Sequence, residues 1–192
     1  MRQLLSVQTG LARRAPMGGR TVLTAMGKQE AIGAIPVLPL GLMGDEQADL
    51  SIHGGLEKAV YAYPSEHYPF WRAARHEQGV DLIDDSLPNG CMGENLTLQG
   101  VLESDVWAGD LLVFPNCELQ VRIPREPCYK FNAAMGFSQA SRLMAQSGFC
   151  GFYLSVLTAG TICAGEAFEV KPGRRSVSIP ALFAAKMSKH LR

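Results

Sequence analysis

The stretch "ELQVRIPREPCYKFN", Glu118 to Asn132, changes character at its midpoint. Its first six residues alternate. Leu119, Val121 and Ile123 fall on one face and Glu118, Gln120 and Arg122 on the other, which is the period of a half-buried β-strand. Pro124 and Pro127 then stiffen the backbone and remove N–H donors, so the ladder of that strand ends there. Cys128 follows at once, with Arg125 three residues before it and Lys130 two after it. Neighbouring cations favour a thiolate, the form of cysteine that binds soft metals or attacks as a nucleophile. The plainer reading is a half-buried structural cysteine in a loop.

Working outward, "DLLVF" (residues 110–114) meets "ELQVRI" across Pro115-Asn116, which predicts a hairpin. "LLSVQTG", "KAVYAY", "NLTL" and "AFEVK" are further strand candidates, and the 20 glycines and 11 prolines suit a fold of many short strands and turns. Helices are expected over part of 65–77, where Pro69 disturbs the first turn, and over about 139–146, with Ser138 as N-cap and Gly148 as stop. A last helix starts near Pro180, with Phe183, Met187 and Leu191 on one face. That pattern fits a docked amphipathic tail better than a membrane anchor. The expectation is one mostly-β domain over 1–172 and a short basic helical tail over 173–192.

At 192 residues, 47% hydrophobic and 19% charged, the chain is composed like a globular domain. Lys+Arg and Asp+Glu balance at 18 each, which gives no general attraction to nucleic acid or an anionic membrane, so an anionic ligand needs a local cluster of cations. Five cysteines, at 91, 117, 128, 150 and 163, show neither a CxxC zinc site nor a disulfide framework, and a reducing, cytoplasmic setting is the natural inference. The first 29 residues are basic and free of acid, a faint transit-peptide character set against the preferred reading of "LLSVQTG" as a first strand. Cys91 has a loop setting; Cys117, Cys150 and Cys163 look like packing residues.

Dinucleotide, P-loop, zincin and nucleophile-elbow motifs are missing. Two other clusters stand out. In "HGGLEKAVYAY", Gly54 and Gly55 let a ligand approach backbone N–H groups, with His53 and Lys58 on either side to meet an anion; a tight turn entering a strand explains the same residues. In "GENLTL", Glu94 and Asn95 stand at a strand start, where side chains face a barrel mouth or simply cap a turn.

In order and spacing, these clusters resemble the MOSC domain, named for the C-terminal domain of molybdenum-cofactor sulfurase, and in particular its small stand-alone YiiM-like branch. The likeness runs through "LGLMGDEQADLSIHGGLEKAVYAYPSEHYPFW", "GENLTLQGVLESDVWAGDLLVF", "LQVRIPREPCYKFN" and "GFYLSVLTAGTICAGEAFEV", about residues 40–170. The resemblance implies a mostly-β, MOSC-type β-barrel with a few short peripheral helices and a short C-terminal helix. It makes Cys128 the metal ligand and catalytic centre of a molybdenum cofactor of the molybdopterin type. His53, Gly54, Gly55, Lys58, Glu94, Asn95, Arg125, Lys130 and Asn132 become the cofactor pocket. The implied activity is reduction of N-hydroxylated substrates, hydroxylamino-purine bases among them, to amines, a detoxification. Electrons would come from an external electron-donor protein, since no flavin or haem motif is visible. Two alternatives use the same cysteine: a sulfur carrier with a persulfide on Cys128, and a non-catalytic protein that holds the cofactor. Relatives in this branch generally continue into a longer helical module, whereas this chain reaches Arg192 after about one helix. The apolar face of that helix has two candidate seats, the barrel or a second copy in a homodimer.

Overall fold

The structure, a computed structural model, describes residues 1–17, 19–48, 54–80 and 87–190. In chain order its elements are β1 (Gln3–Thr9), β2 (Arg13–Met17), β3 (Arg20–Thr24), β4 (Gln29–Glu30), β5 (Ile35–Leu38), β6 (Gly41–Leu42), β7 (Val60–Pro64), α1 (Tyr68–Glu77), β8 (Leu96–Gln99), β9 (Leu111–Val113), β10 (Glu118–Pro124), α2 (Tyr129–Met135), α3 (Ala140–Ser147), β11 (Phe152–Thr158), β12 (Gly160–Ile162), β13 (Glu169–Lys171) and α4 (Ile179–His190). The predicted hairpin is β9–β10, with Val113 opposite Glu118, and β10 ends at Pro124. Both come from local chemistry, a turn at Pro115-Asn116 and a proline that cannot donate to a ladder.

An eight-stranded sheet in the order β13-β9-β10-β11-β7-β8-β1-β4 forms the frame. Its pairs are antiparallel except β7–β8. The expected closed barrel is not formed. The edge strands β13 and β4 have three and two residues, too few for a closing ladder. Near closure, among the described residues, there is only the isolated bridge Gln3↔Ala167, with bonds such as Leu4 N–H to Glu166 C=O at 2.9 Å. The remaining strands make a three-stranded sheet, β12-β5-β6, and the separate β2–β3 hairpin.

Apolar residues of the main sheet build one core, from Leu4 and Val60 to Leu119 and Leu154. A second core lies under α1, α2 and α3, around Trp71, Phe131, Met135 and Met144, all fully buried. The last helix joins both cores, burying Ile179 in the first and Phe183 in the second, and Lys186 pairs with Glu126 beside β10. The path into α4 is fastened by Asp110, which is fully buried. Its carboxylate accepts the N–H groups of Gly173 (2.7 Å) and Trp107 (3.1 Å) and pairs with Arg175, whose guanidinium lies 4.3 Å from the Trp107 ring. No helix among the described residues is long and apolar enough to cross a membrane.

Helix α2 was not predicted. It follows Cys128 directly and carries no N-cap side-chain bond. Its stability comes from tertiary contacts, with Phe131 and Met135 one turn apart in the second core and Arg75 Nη1 donating to the Met135 carbonyl at 3.1 Å. At Gly151, where β11 begins, the backbone has φ +62° and a Cβ would lie 2.4 Å from the Ala62 carbonyl oxygen. Gly151→Ala is therefore expected to lower stability by about 3 kcal/mol. Urea unfolding measures this, and a loss under 1 kcal/mol would show that the chain can relax around the contact.

Candidate functional site

Cys128 stands at the junction of two elements. The ladder of β10 holds the chain up to Pro124, and α2 takes over at Tyr129, leaving Cys128 in extended geometry (φ −144°, ψ 162°) and half-buried against the second core. Asn132, one turn along, accepts the Ser141 N–H at 2.6 Å and so ties α2 to α3. That bond takes Asn132 out of the cavity into which Cys128 opens.

This cavity has roughly 640 Å3 of space, open solvent included. Its wall comes from five stretches: residues 24–28, 45–48, 58–61 and 92–95, and the β10–α2 junction with Tyr153. Among the described residues four cations line it, Lys28, Lys58, Arg125 and Lys130, against one carboxylate, Asp45. Lys28 and Asp45 pair with each other, each 6% exposed, and Asp45 also accepts the Gly10 N–H at 2.9 Å. Lys130 donates to the Leu23 carbonyl at 2.9 Å.

Arg125 is enclosed rather than set at the surface. It is 6% exposed, with its guanidinium 5.3 Å from the Tyr61 ring and 5.0 Å from the Phe131 ring, and Nη1 faces the Met144 sulfur at 3.7 Å. Burial alone would lower its pKa, but Tyr61, Tyr153 and Cys128 close by raise it above the ordinary value, so the group stays charged. Arg125 has no carboxylate partner among the described residues. A buried charge without a counter-charge is costly, and the open side of the cavity is where an anion can supply one.

The other predicted residues separate. Lys58 and Asn95 line the cavity with Arg125, Cys128 and Lys130. The Asn95 side chain is already engaged by backbone: Oδ1 accepts the Tyr61 N–H (3.0 Å) and Nδ2 donates to the Gln8 carbonyl (3.1 Å). Glu94 points inward, fully buried, and accepts from Tyr68 Oη, the Gly90 N–H (2.8 Å) and Thr97 Oγ1 (3.0 Å). Gly54 and Gly55 are outside the lining. Gly55, at φ +91°, donates its N–H to Gln47 Oε1 at 2.9 Å and so turns the chain toward Lys58. His53 lies outside the described residues.

Sequence reasoning passed over Gln47, Lys28, Asp45, Tyr61 and Tyr153, all of which line the cavity. Gln47 has the clearest role: besides holding Gly55, its Nε2 donates to the Leu40 and Lys58 carbonyls at 3.1 and 3.2 Å. Among the described residues no group of three or more His, Cys, Asp or Glu is placed to share a metal. A metal at this wall would take the Cys128 thiolate and need its remaining ligands from a cofactor, the donor set of a ligand-bearing group rather than of a bare ion. The four cations, with Arg125 buried and lacking a carboxylate partner among the described residues, fit an anionic cofactor of that kind.

Burial pushes the Cys91 and Cys117 thiols up to about 12 and raises that of Cys150 well above its ordinary value. For a thiol pKa of 12, roughly one group in ten thousand is thiolate at pH 8. Iodoacetamide at pH 8 should therefore leave these three unmodified in the native protein and react with them once the chain is unfolded. Peptide mass mapping reads the difference, and fast native labelling of any of the three would refute its burial.

Residues 49–169 match the family described as the MOSC domain. The protein YiiM of Escherichia coli (strain K12) is 35% identical over 88% of this chain and 72% of its own length. A protein named reductase, from Gibberella moniliformis, is 34% identical over 87% of this chain and 29% of its own length. The crystal structure of YiiM from Geobacillus stearothermophilus superimposes with a TM-score of 0.76 at 27% identity, covering 100% of this chain and 87% of that one.

Proposed function

Since the chain belongs to the MOSC domain family, we propose that it binds a molybdenum cofactor through Cys128 and reduces N-hydroxylated substrates, hydroxylamino-purine bases among them, to amines. The observation that carries this reading is the closeness of Cys128 and Arg125: one thiol on the wall of a cation-lined cavity, beside a buried guanidinium that lacks a carboxylate partner among the described residues. A relative bearing the name reductase is consistent with it.

When bound, the cofactor supplies the two-electron chemistry that turns an N–OH group into an amine and water. The residues of the chain do the rest. Cys128 Sγ holds the metal from a backbone fixed on both sides. Arg125 offsets the negative charge of the thiolate-held group, in surroundings drier than a surface lysine would offer. Lys58 and Lys130 meet the phosphate of the pterin. Tyr61 and Tyr153, whose phenols burial keeps protonated, give flat walls, and the Tyr61 hydroxyl is fixed on the Cys150 carbonyl at 2.8 Å.

Elemental analysis of protein produced in a cofactor-making host should find molybdenum near one per chain. Cys128→Ser should lose most of it and all turnover of a hydroxylamino-purine while its circular dichroism is unchanged. A well-folded wild type without molybdenum but with a persulfide on Cys128 would make it a sulfur carrier instead. Arg125→Met keeps an unbranched side chain between Tyr61 and Phe131 but removes the charge. Its molybdenum occupancy should fall severalfold with little change in melting temperature. Unchanged occupancy would take Arg125 out of cofactor binding.

A further inference from the structure

The β2–β3 hairpin pairs only with itself, in register from Arg13↔Thr24 to Met17↔Arg20. Yet it is the rim of the cavity. Thr24, at the end of β3, and the next residues through Met26 line the wall, and Lys130 grips the hairpin at the Leu23 carbonyl. Arg13 lies across Gly27, where a Cβ would come within 2.5 Å of Nη2. The charged side chains of the hairpin are all basic and exposed, Arg13, Arg14 and Arg20, and no acidic residue occurs in the first 29 positions. Arg14 and Arg20 have no ion-pair partner among the described residues. The nearby carboxylates are occupied, Asp45 by Lys28 and Glu46 by the Ala12 N–H at 2.8 Å. Leu23, 46% exposed, and Leu11, 64% exposed, add apolar surface.

In a chain of zero net charge, this is a local positive field beside the opening that leads to Cys128. The three arginines lie outside the cavity lining, so a small anionic substrate inside would not meet them. Nucleic acid would call for a wider basic footprint, on the order of 6–10 phosphate contacts. Small transient contacts guided by opposite charge are how redox proteins meet.

We propose that the β2–β3 hairpin is the docking surface for an acidic electron-donor protein, which Arg13, Arg14 and Arg20 steer to the rim of the cavity. This rests on the reductive reading above. The overall reaction balances as one N-hydroxylated substrate, two electrons and two protons giving one amine and one water. A donor of the flavodoxin type delivers one electron per molecule, passing from hydroquinone to semiquinone, so two donor molecules serve each turnover, with the protons drawn from solvent.

The test uses the molybdenum-loaded full chain and two reductants, reduced methyl viologen and reduced flavodoxin, a small acidic flavoprotein. With Arg14→Glu and Arg20→Glu combined, the KM for flavodoxin should rise about tenfold or more. Salt raised to about 0.2 M should weaken the wild type in the same direction. Viologen-driven turnover should stay within about twofold of wild type, and the neutral pair Arg14→Gln and Arg20→Gln should give an intermediate KM. The docking proposal falls if the reversed variant keeps the wild-type KM. It falls equally if flavodoxin turnover ignores salt, or if flavodoxin drives no turnover while viologen does. No viologen-driven turnover in a fully loaded protein would instead remove the reductive reading, and the docking inference with it.

Discussion

Asn95 holds three strands together at the one place where the eight-stranded sheet runs parallel. Its backbone N–H reaches the Tyr61 carbonyl at 2.8 Å and its carbonyl takes the Gln8 N–H at 2.7 Å, while its side-chain amide repeats the exchange with the same two residues. A side-chain amide carries the donor and acceptor of a peptide group, so Asn95 acts as an extra peptide link between β1 and β7 just before β8 begins. Both strands are thereby pinned at the floor of the cavity. Tyr61 can then carry Arg125 on its ring, and Lys58 is presented three residues before Tyr61. An aspartate or leucine would leave a buried backbone group unpaired at this point.

Charge at the cavity is managed by packing more than by pairing. A lysine in place of Arg125 would bring a compact, strongly hydrated ammonium into an aromatic enclosure, whereas a guanidinium lies flat against rings and is more weakly hydrated. On the other side of the same core, His67 and Glu103 show the opposite solution. They pair at 2.7 Å, His67 stacks on Phe149, and the second oxygen of Glu103 takes the Gly151 N–H at 2.6 Å. One buried polar group is balanced within the protein and the other is left facing an opening.

The legible parts of the sequence were those written in local chemistry. The period of "ELQVRI", the turn at Pro115-Asn116 and the proline stop placed β9, β10 and the cysteine after them. Helices near 68–77 and 140–147 also followed from local pattern. Helix α2 did not, because its signal is only Phe131 and Met135 one turn apart, and two neighbouring helices supply the rest. The burial of Arg125 carried no local signal, because the rings that enclose it come from Tyr61 on β7 and Phe131 on α2. Lys28 and Asp45, seventeen residues apart on separate loops, carried no shared motif. Glu94 and Asn132 share residue types with binding sites, but polar side chains also staple backbone, and here both do. Closure of the sheet was beyond reach, since strand count does not fix how many residues pair at an edge.

The family match stops at residue 169, but the packing of the fold reaches further. Asp110 keeps a fully buried carboxylate satisfied with partners at Gly173 and Arg175, and Ile179 and Phe183 close the two cores from outside. A gene cut at the family boundary would leave that buried carboxylate with the Trp107 N–H but without Gly173 and Arg175, and bare both cores at one stroke. For anyone joining this chain to another protein, the permissive point of fusion lies past α4, not at the limit of sequence likeness.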